Sequence, residues 1–120
     1  MAWFAANGIF YFKLNDAPQD RFTILENIYL VEAKDSKEAW EKAQQWGERE
    51  TVDDLTLRVD DQPATMLFAG IRKILTVSHW EEEGKLRHGD EISYSEFEVF
   101  SEDDVKRLAK GEQVTIAYLS

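Results

Sequence analysis

In Phe22-Thr23-Ile24-Leu25-Glu26-Asn27-Ile28-Tyr29-Leu30-Val31-Glu32-Ala33-Lys34-Asp35-Ser36-Lys37-Glu38-Ala39 the chemistry of the chain changes midway. Phe22 to Ala33 is rich in β-branched and aromatic residues, which fit a pleated surface and predict a strand. The polar pair Glu26-Asn27 interrupts its alternation and predicts a bulge or a local twist there. Asp35-Ser36-Lys37-Glu38 is a helix-start signal: Asp35 or Ser36 caps free amides while Glu38 occupies the positive first turn. At 100° per residue Ala39, Ala43 and Trp46 share one stripe, with Gly47 and Trp40 at its edges. That helix is expected to bury Trp46 against a sheet, with Trp40 at the border. A strand running directly into a one-faced helix makes the chain α+β.

Upstream, Phe4, Ala6, Gly8, Phe10, Phe12 and Leu14 alternate with Ile9 and Tyr11 over Trp3 to Leu14, a first long strand. Asn15-Asp16-Ala17-Pro18-Gln19-Asp20 supplies the turn formers that fold it back as a hairpin onto Phe22 to Ala33. Downstream, Leu55 to Val59 is a short strand, and Asp60-Asp61-Gln62-Pro63 turns the chain into Ala64 to Val77, the longest apolar run. Leu67, Ala69, Ile71, Leu75 and Val77 share one parity there, while Arg72-Lys73 sets two cations beside this central strand. Residues 79–90, with two glycines and dense charge, form an acidic exposed loop. Ile92 to Phe100 resumes as a strand. Ser101-Glu102-Asp103-Asp104 caps a helix with the stripe Val105, Leu108 and Ala109, stopped by Gly111, before Val114, Ile116 and Tyr118 end the chain as a strand. The expectation is one domain over residues 1–120, ordered ββαβββαβ. It has an antiparallel or mixed sheet of five to six strands and two helices packed on one face.

One domain is what 120 residues accommodate. The absence of cysteine excludes disulfides, a thiol nucleophile and cysteine-ligated metal centres. A net charge of −10 and a pI near 4.6 repel phosphates and anionic headgroups, so neither nucleic acid nor a membrane surface is an expected partner. The charge is concentrated: residues 31–54 hold eight acids and four bases, and residues 81–104 hold ten acids and two bases. No membrane-length apolar stretch and no basic secretory start occur, and a cytosolic location is the default expectation.

Chemistry-bearing motifs are sparse. His79 and His88 are too far apart in sequence for a helical or hairpin metal pair, and no third ligand can be named, so no metal site and no cofactor are expected. Neither a nucleophile motif nor a phosphate-binding glycine loop is present. The four tryptophans carry more weight, because each must be buried or offered to a partner. Trp40 and Trp80, with Glu81, Glu82 and Glu83 beside the latter, form the candidate partner-binding surface: aromatics anchor and acids steer a basic protein. The plainer alternative is that Trp3 and Trp40 seal the sheet edge. Glu26, Arg72, Tyr94 and Glu96 are the candidate lining of a pocket between sheet and helices.

Three pieces carry a family resemblance. They are Trp3-Phe4; Glu26 to Ala33 leading into Ser36, Glu38, Ala39, Lys42, Ala43 and Gly47; and Gly89-Asp90-Glu91-Ile92-Ser93-Tyr94-Ser95-Glu96-Phe97. Together with the long strand Ala64 to Val77, they resemble a small bacterial domain-of-unknown-function family of the DUF4288 type. The tail from Val99 goes beyond that pattern. The resemblance implies a small, cytosolic bacterial domain and no reaction, substrate or catalytic residue. The leading expectation is therefore a non-enzymatic protein-protein interaction domain, regulatory or immunity-like, whose partner is basic. A small-molecule-binding or enzymatic domain is the second reading, and homo-oligomerisation through an open sheet edge the third.

Overall fold

The computed structural model describes residues 1–51, 57–77 and 85–119. Its elements are β1 (Ala2–Leu14), β2 (Ile24–Ala33), α1 (Ser36–Arg49), β3 (Arg58–Val59), β4 (Gln62–Thr76), β5 (Phe97–Glu98), α2 (Glu102–Ala109) and β6 (Ala117–Tyr118). The α+β class and the element order are as expected, but the strands divide into an antiparallel four-stranded sheet, β2-β1-β4-β3, and a separate pair, β5-β6. Ile92 to Phe100 and Val114 to Tyr118 contribute only two paired residues each, Phe97–Glu98 and Ala117–Tyr118, while Ser93 and Ser95 turn their hydroxyls to Asn7 and Arg72 on the main sheet. Of the expected strand Leu55 to Val59, residues 55 and 56 lie outside the described residues, and Arg58–Val59 pairs with Gln62 and Pro63. Asp60 and Asp61 join these strands with φ of 52° and 63°, the two positive values that a tight hairpin turn of matching twist requires.

β1 is the spine. Its register with β2 runs unbroken from Ala2↔Ala33 to Tyr11↔Ile24. The bulge expected at Glu26-Asn27 is therefore absent from β2. The irregularities lie in β4 instead: pairing steps from Asn7↔Lys73 to Gly8↔Ile71 and from Ile9↔Gly70 to Phe10↔Phe68, which leaves Arg72 and Ala69 as extra residues. Each extra residue moves the following side chains to the other face. Phe68, Ile71 and Ile74 thus lie opposite Phe10, Gly8 and Ala6 on one face, while Leu67 and Leu75 lie opposite Tyr11 and Ala5 on the other. The single-parity face expected for β4 is corrected accordingly.

α1 covers the first of these faces. Asp35 caps it, accepting from the Glu38 amide at 2.8 Å, and Glu38 reaches back to accept from the Lys34 amide at 3.2 Å. Ala39, Ala43 and Gly47 are its buried residues. Phe4, Ala33 and Ala39 form a core cluster with Ala2, Val31 and Ile74 packed around it. At Gly47 a Cβ would stand only 2.3 to 2.7 Å from three atoms of the Phe68 ring. Trp46 is not core, as expected from its stripe, but 49% exposed. Trp40 and Trp46 stand about 60° to either side of Ala43 at 100° per residue, so a small-residue stripe lying close on the sheet leaves both rings along its flanks.

α2 does not share that face. It has no buried residue, and Val105 and Phe100 are more than half exposed, so the expectation of two helices on one sheet face is corrected to one. Eight residues give it a stripe of only Val105, Leu108 and Ala109, too little apolar surface to hold it on the sheet. The result is a slab measuring 52 × 40 × 22 Å with a radius of gyration of 17.4 Å. A compact chain of this length would have about 13.6 Å.

Candidate functional site

Two groups of polar and aromatic side chains stand out, one on each face of the main sheet. On the face away from α1, Asn7 is fully buried in the middle of β1. Its amide nitrogen donates to Glu26 Oε2 at 3.4 Å, and its oxygen accepts from the Ser93 hydroxyl at 2.8 Å. Arg72, projecting from its bulge, donates from Nε to the same Glu26 oxygen at 2.6 Å and from Nη2 to Ser95 Oγ at 3.2 Å. Its guanidinium also lies 4.9 Å from the centre of the Tyr118 ring, and the Lys73 ammonium lies 3.6 Å from that of Tyr94. The network ties residues 93–95 and the β5-β6 pair onto the sheet.

Three of the four expected pocket residues, Glu26, Arg72 and Tyr94, thus come to one region. They do so on the face opposite α1 rather than between sheet and helices, because Glu26 lies across from Ile9, on the odd-numbered face of β1. Glu96 does not join them; it is exposed, and its backbone carbonyl accepts from the Leu119 amide at 3.0 Å. Asn7, Ser93 and Lys73 complete the region and were not anticipated. The available signal was Asn7 itself, an amide inside an otherwise apolar strand. The Glu26 carboxylate is occupied by Arg72 and Asn7, so this assembly works as an internal clamp.

The second group lies where the last turn of α1 meets β1 and β2. Phe10, Asn27, Ile28, Tyr29, Trp46 and Glu50 line a cavity of about 330 Å³. Trp46 and Glu50 are four residues apart, so one turn of helix sets the indole and the carboxylate on the same side. The Tyr29 hydroxyl donates to the Ala43 carbonyl at 3.2 Å. Burial, with the Glu50 charge adding to it, raises the Tyr29 phenol above its ordinary pKa of 10.0. The cavity therefore combines three aromatic side chains, an amide and an acid. Sequence reasoning assigned Trp46 to the core and so missed it.

Of the expected partner-binding residues, Trp40 is 47% exposed on α1. Trp80, Glu81, Glu82 and Glu83 lie outside the described residues, as does His79. The described end of the acidic loop closes on itself, Asp90 accepting from the Arg87 amide at 2.8 Å. Among the described residues there is no group of three or more metal-ligating side chains, and no helix is long and apolar enough to cross a membrane.

The family model described as Domain of unknown function (DUF4288) matches residues 3–93. The chain belongs to the DUF4288 family. No curated protein and no solved structure matches it. The DUF4288 segment spans α1 and the four-stranded sheet from the second residue of β1 onward, and ends at Ser93, the residue whose hydroxyl holds Asn7. β5, α2 and β6 follow the DUF4288 segment, so the clamp joins the family region to the rest of the chain.

Proposed function

We propose that this DUF4288 protein is a non-enzymatic protein-binding module whose cleft beside α1 receives a cationic side chain of a basic partner. The observation that carries the reading is the grouping of Trp46, Tyr29 and Glu50 around one cavity. An indole face attracts Lys or Arg by about 0.5 to 1 kcal/mol at exposed sites, and a carboxylate at its rim adds direction. The net charge of −10 supports it, because it draws basic chains toward the surface. Trp40, on the opposite flank of α1, would extend the contact, and Glu81, Glu82 and Glu83 with Trp80 would serve as a steering patch. An occupied, internally paired Glu26 weighs against the pocket reading on the other face.

The test is a titration of the labelled chain with a short lysine-rich peptide, followed by the backbone amide resonances of α1 and β2, which every variant retains. An acidic peptide of equal length is the control. Binding of the basic peptide alone, weakened about two- to fivefold by Trp46→Ala and by Glu50→Gln and reduced by salt, is the expected result. Equal response to both peptides, or variants that bind as well as the parent, would overturn it.

A further inference from the structure

We propose that the outer edge of β2 pairs with the same edge of a second copy of this chain, antiparallel about a two-fold axis at Ile28, merging two four-stranded sheets into one. The first support is the direction of the backbone groups. The Phe12 amide donates to the Thr23 carbonyl at 3.2 Å, which fixes the alternation of the β1-β2 ladder. Carried along the unbroken register, it points the amides and carbonyls of Ile24, Glu26, Ile28, Leu30 and Glu32 away from β1. The Glu32 carbonyl bears this out, since it accepts from Lys42 Nζ at 2.9 Å. No other hydrogen bond to this row is seen among the described residues.

The second support is that this edge is long and regular, whereas the far side of β4 is interrupted by the extra residues Ala69 and Arg72. Bulges blunt an edge against pairing, and a straight strand with exposed apolar side chains invites it. Ile24, Ile28 and Leu30, all on the face away from α1, are 56%, 46% and 42% exposed.

The third is the fit of the sequence to itself. With the axis at Ile28, Ile28 faces its mate, Glu26 faces Leu30, and no carboxylate faces another. Moving the axis one residue toward Ala33 sets Glu26 against Glu32, and moving it the other way shortens the ladder. Directly opposed like charges are destabilising in sheets, so the register is specified. Finally, the chain exposes 8757 Å², against about 6,700 Å² for an ordinary folded monomer of this mass. The excess, about 2,000 Å² per chain, is more than the about 800 Å² that each partner contributes to a standard interface, so this chain has the surface to give to one.

The experiment uses the full chain at micromolar concentration. Light scattering should give twice the 14.0 kDa chain mass. Because each copy carries −10, added salt should strengthen association, the opposite of its effect on a basic peptide. Ile28→Lys should return the protein to the single-chain mass with unchanged circular dichroism. The chain has no cysteine, so Ile28→Cys provides one thiol per copy. Across the axis the two Cα atoms would be about 5.5 Å apart, within disulfide reach. Ile28→Cys should cross-link under mild oxidation while Ile24→Cys does not. A monomer at every salt concentration, a dimer indifferent to Ile28→Lys, or equal cross-linking of the two cysteine variants would each refute the proposal. Ile28 also lines the cation cleft, so that cleft is scored separately, by peptide binding to the Trp46 and Glu50 variants, which leave the β2 edge untouched.

Discussion

Replacing Gly47 with alanine sets two effects on α1 against each other. Alanine is the better helix former by about 0.8 to 1.0 kcal/mol, so on an exposed helix face the change would stabilise the protein. Here the new Cβ would lie 2.3, 2.4 and 2.7 Å from Cε1, Cζ and Cδ1 of Phe68. That ring cannot retreat freely, because it leans on Phe10, which is fully buried, at 5.3 Å between centroids. Either Phe68 leaves its place or α1 rises from the sheet and loosens Ala39 and Ala43. Overpacking costs about 1 to 3 kcal/mol, and three ring atoms this close place Gly47→Ala in the upper part of that range, about 2 to 3 kcal/mol, so a net loss of about 1 to 2 kcal/mol is expected. Urea denaturation should show a lower midpoint with an unchanged slope. Phe68→Leu removes the obstructing ring, so the double variant should lose less than the two single losses added, with a coupling of about 0.5 kcal/mol or more. A Gly47→Ala protein as stable as the parent would refute the view that close approach at Gly47 sets the height of the helix.

Two further outcomes follow from the two site regions. Glu26→Gln should cost about 1 to 3 kcal/mol, because it leaves the part-buried Arg72 guanidinium without its carboxylate, and should speed hydrogen exchange at Ser93 to Ser95; a change under about 0.5 kcal/mol would deny the clamp its role. The raised Tyr29 pKa means the folded state holds its phenolic proton more tightly than the unfolded chain. That contribution is complete below about pH 10 and is lost as pH rises through the folded value. Denaturation midpoints measured across this range should fall less steeply in Tyr29→Phe, and an identical slope in both proteins would contradict the assignment.

Local signals carried much of the fold. The β1-β2 hairpin, a cap at Asp35 or Ser36 and a stripe through Ala39 and Ala43 with Gly47 at its edge depend on neighbouring residues, and each was legible. β4 was legible as a strand but not in its facing, because two extra residues change the spacing of inward side chains from two to three, as in Phe68, Ile71 and Ile74. The exposure of Trp46 was hidden for a different reason. Periodicity locates a stripe but not which of its residues approaches the sheet most closely, and the small ones did. Glu26 and Arg72 could be named as polar groups in strand-like segments, but their pairing spans 46 residues and required the register of three strands. Val105 and Leu108 formed a readable stripe, yet nothing in eight residues of helix says whether a sheet will be there to meet it.

The irregular pairing of β4 also bears on how the length of this chain can vary. In a regular strand, removing one residue turns every later side chain to the wrong side of the sheet, whereas at Ala69 the shortening would merely straighten the ladder and leave all later partners in place. Ala69 is thus a site where a single-codon deletion is structurally neutral, while the same event at Arg72 would also discard the guanidinium that grips Glu26.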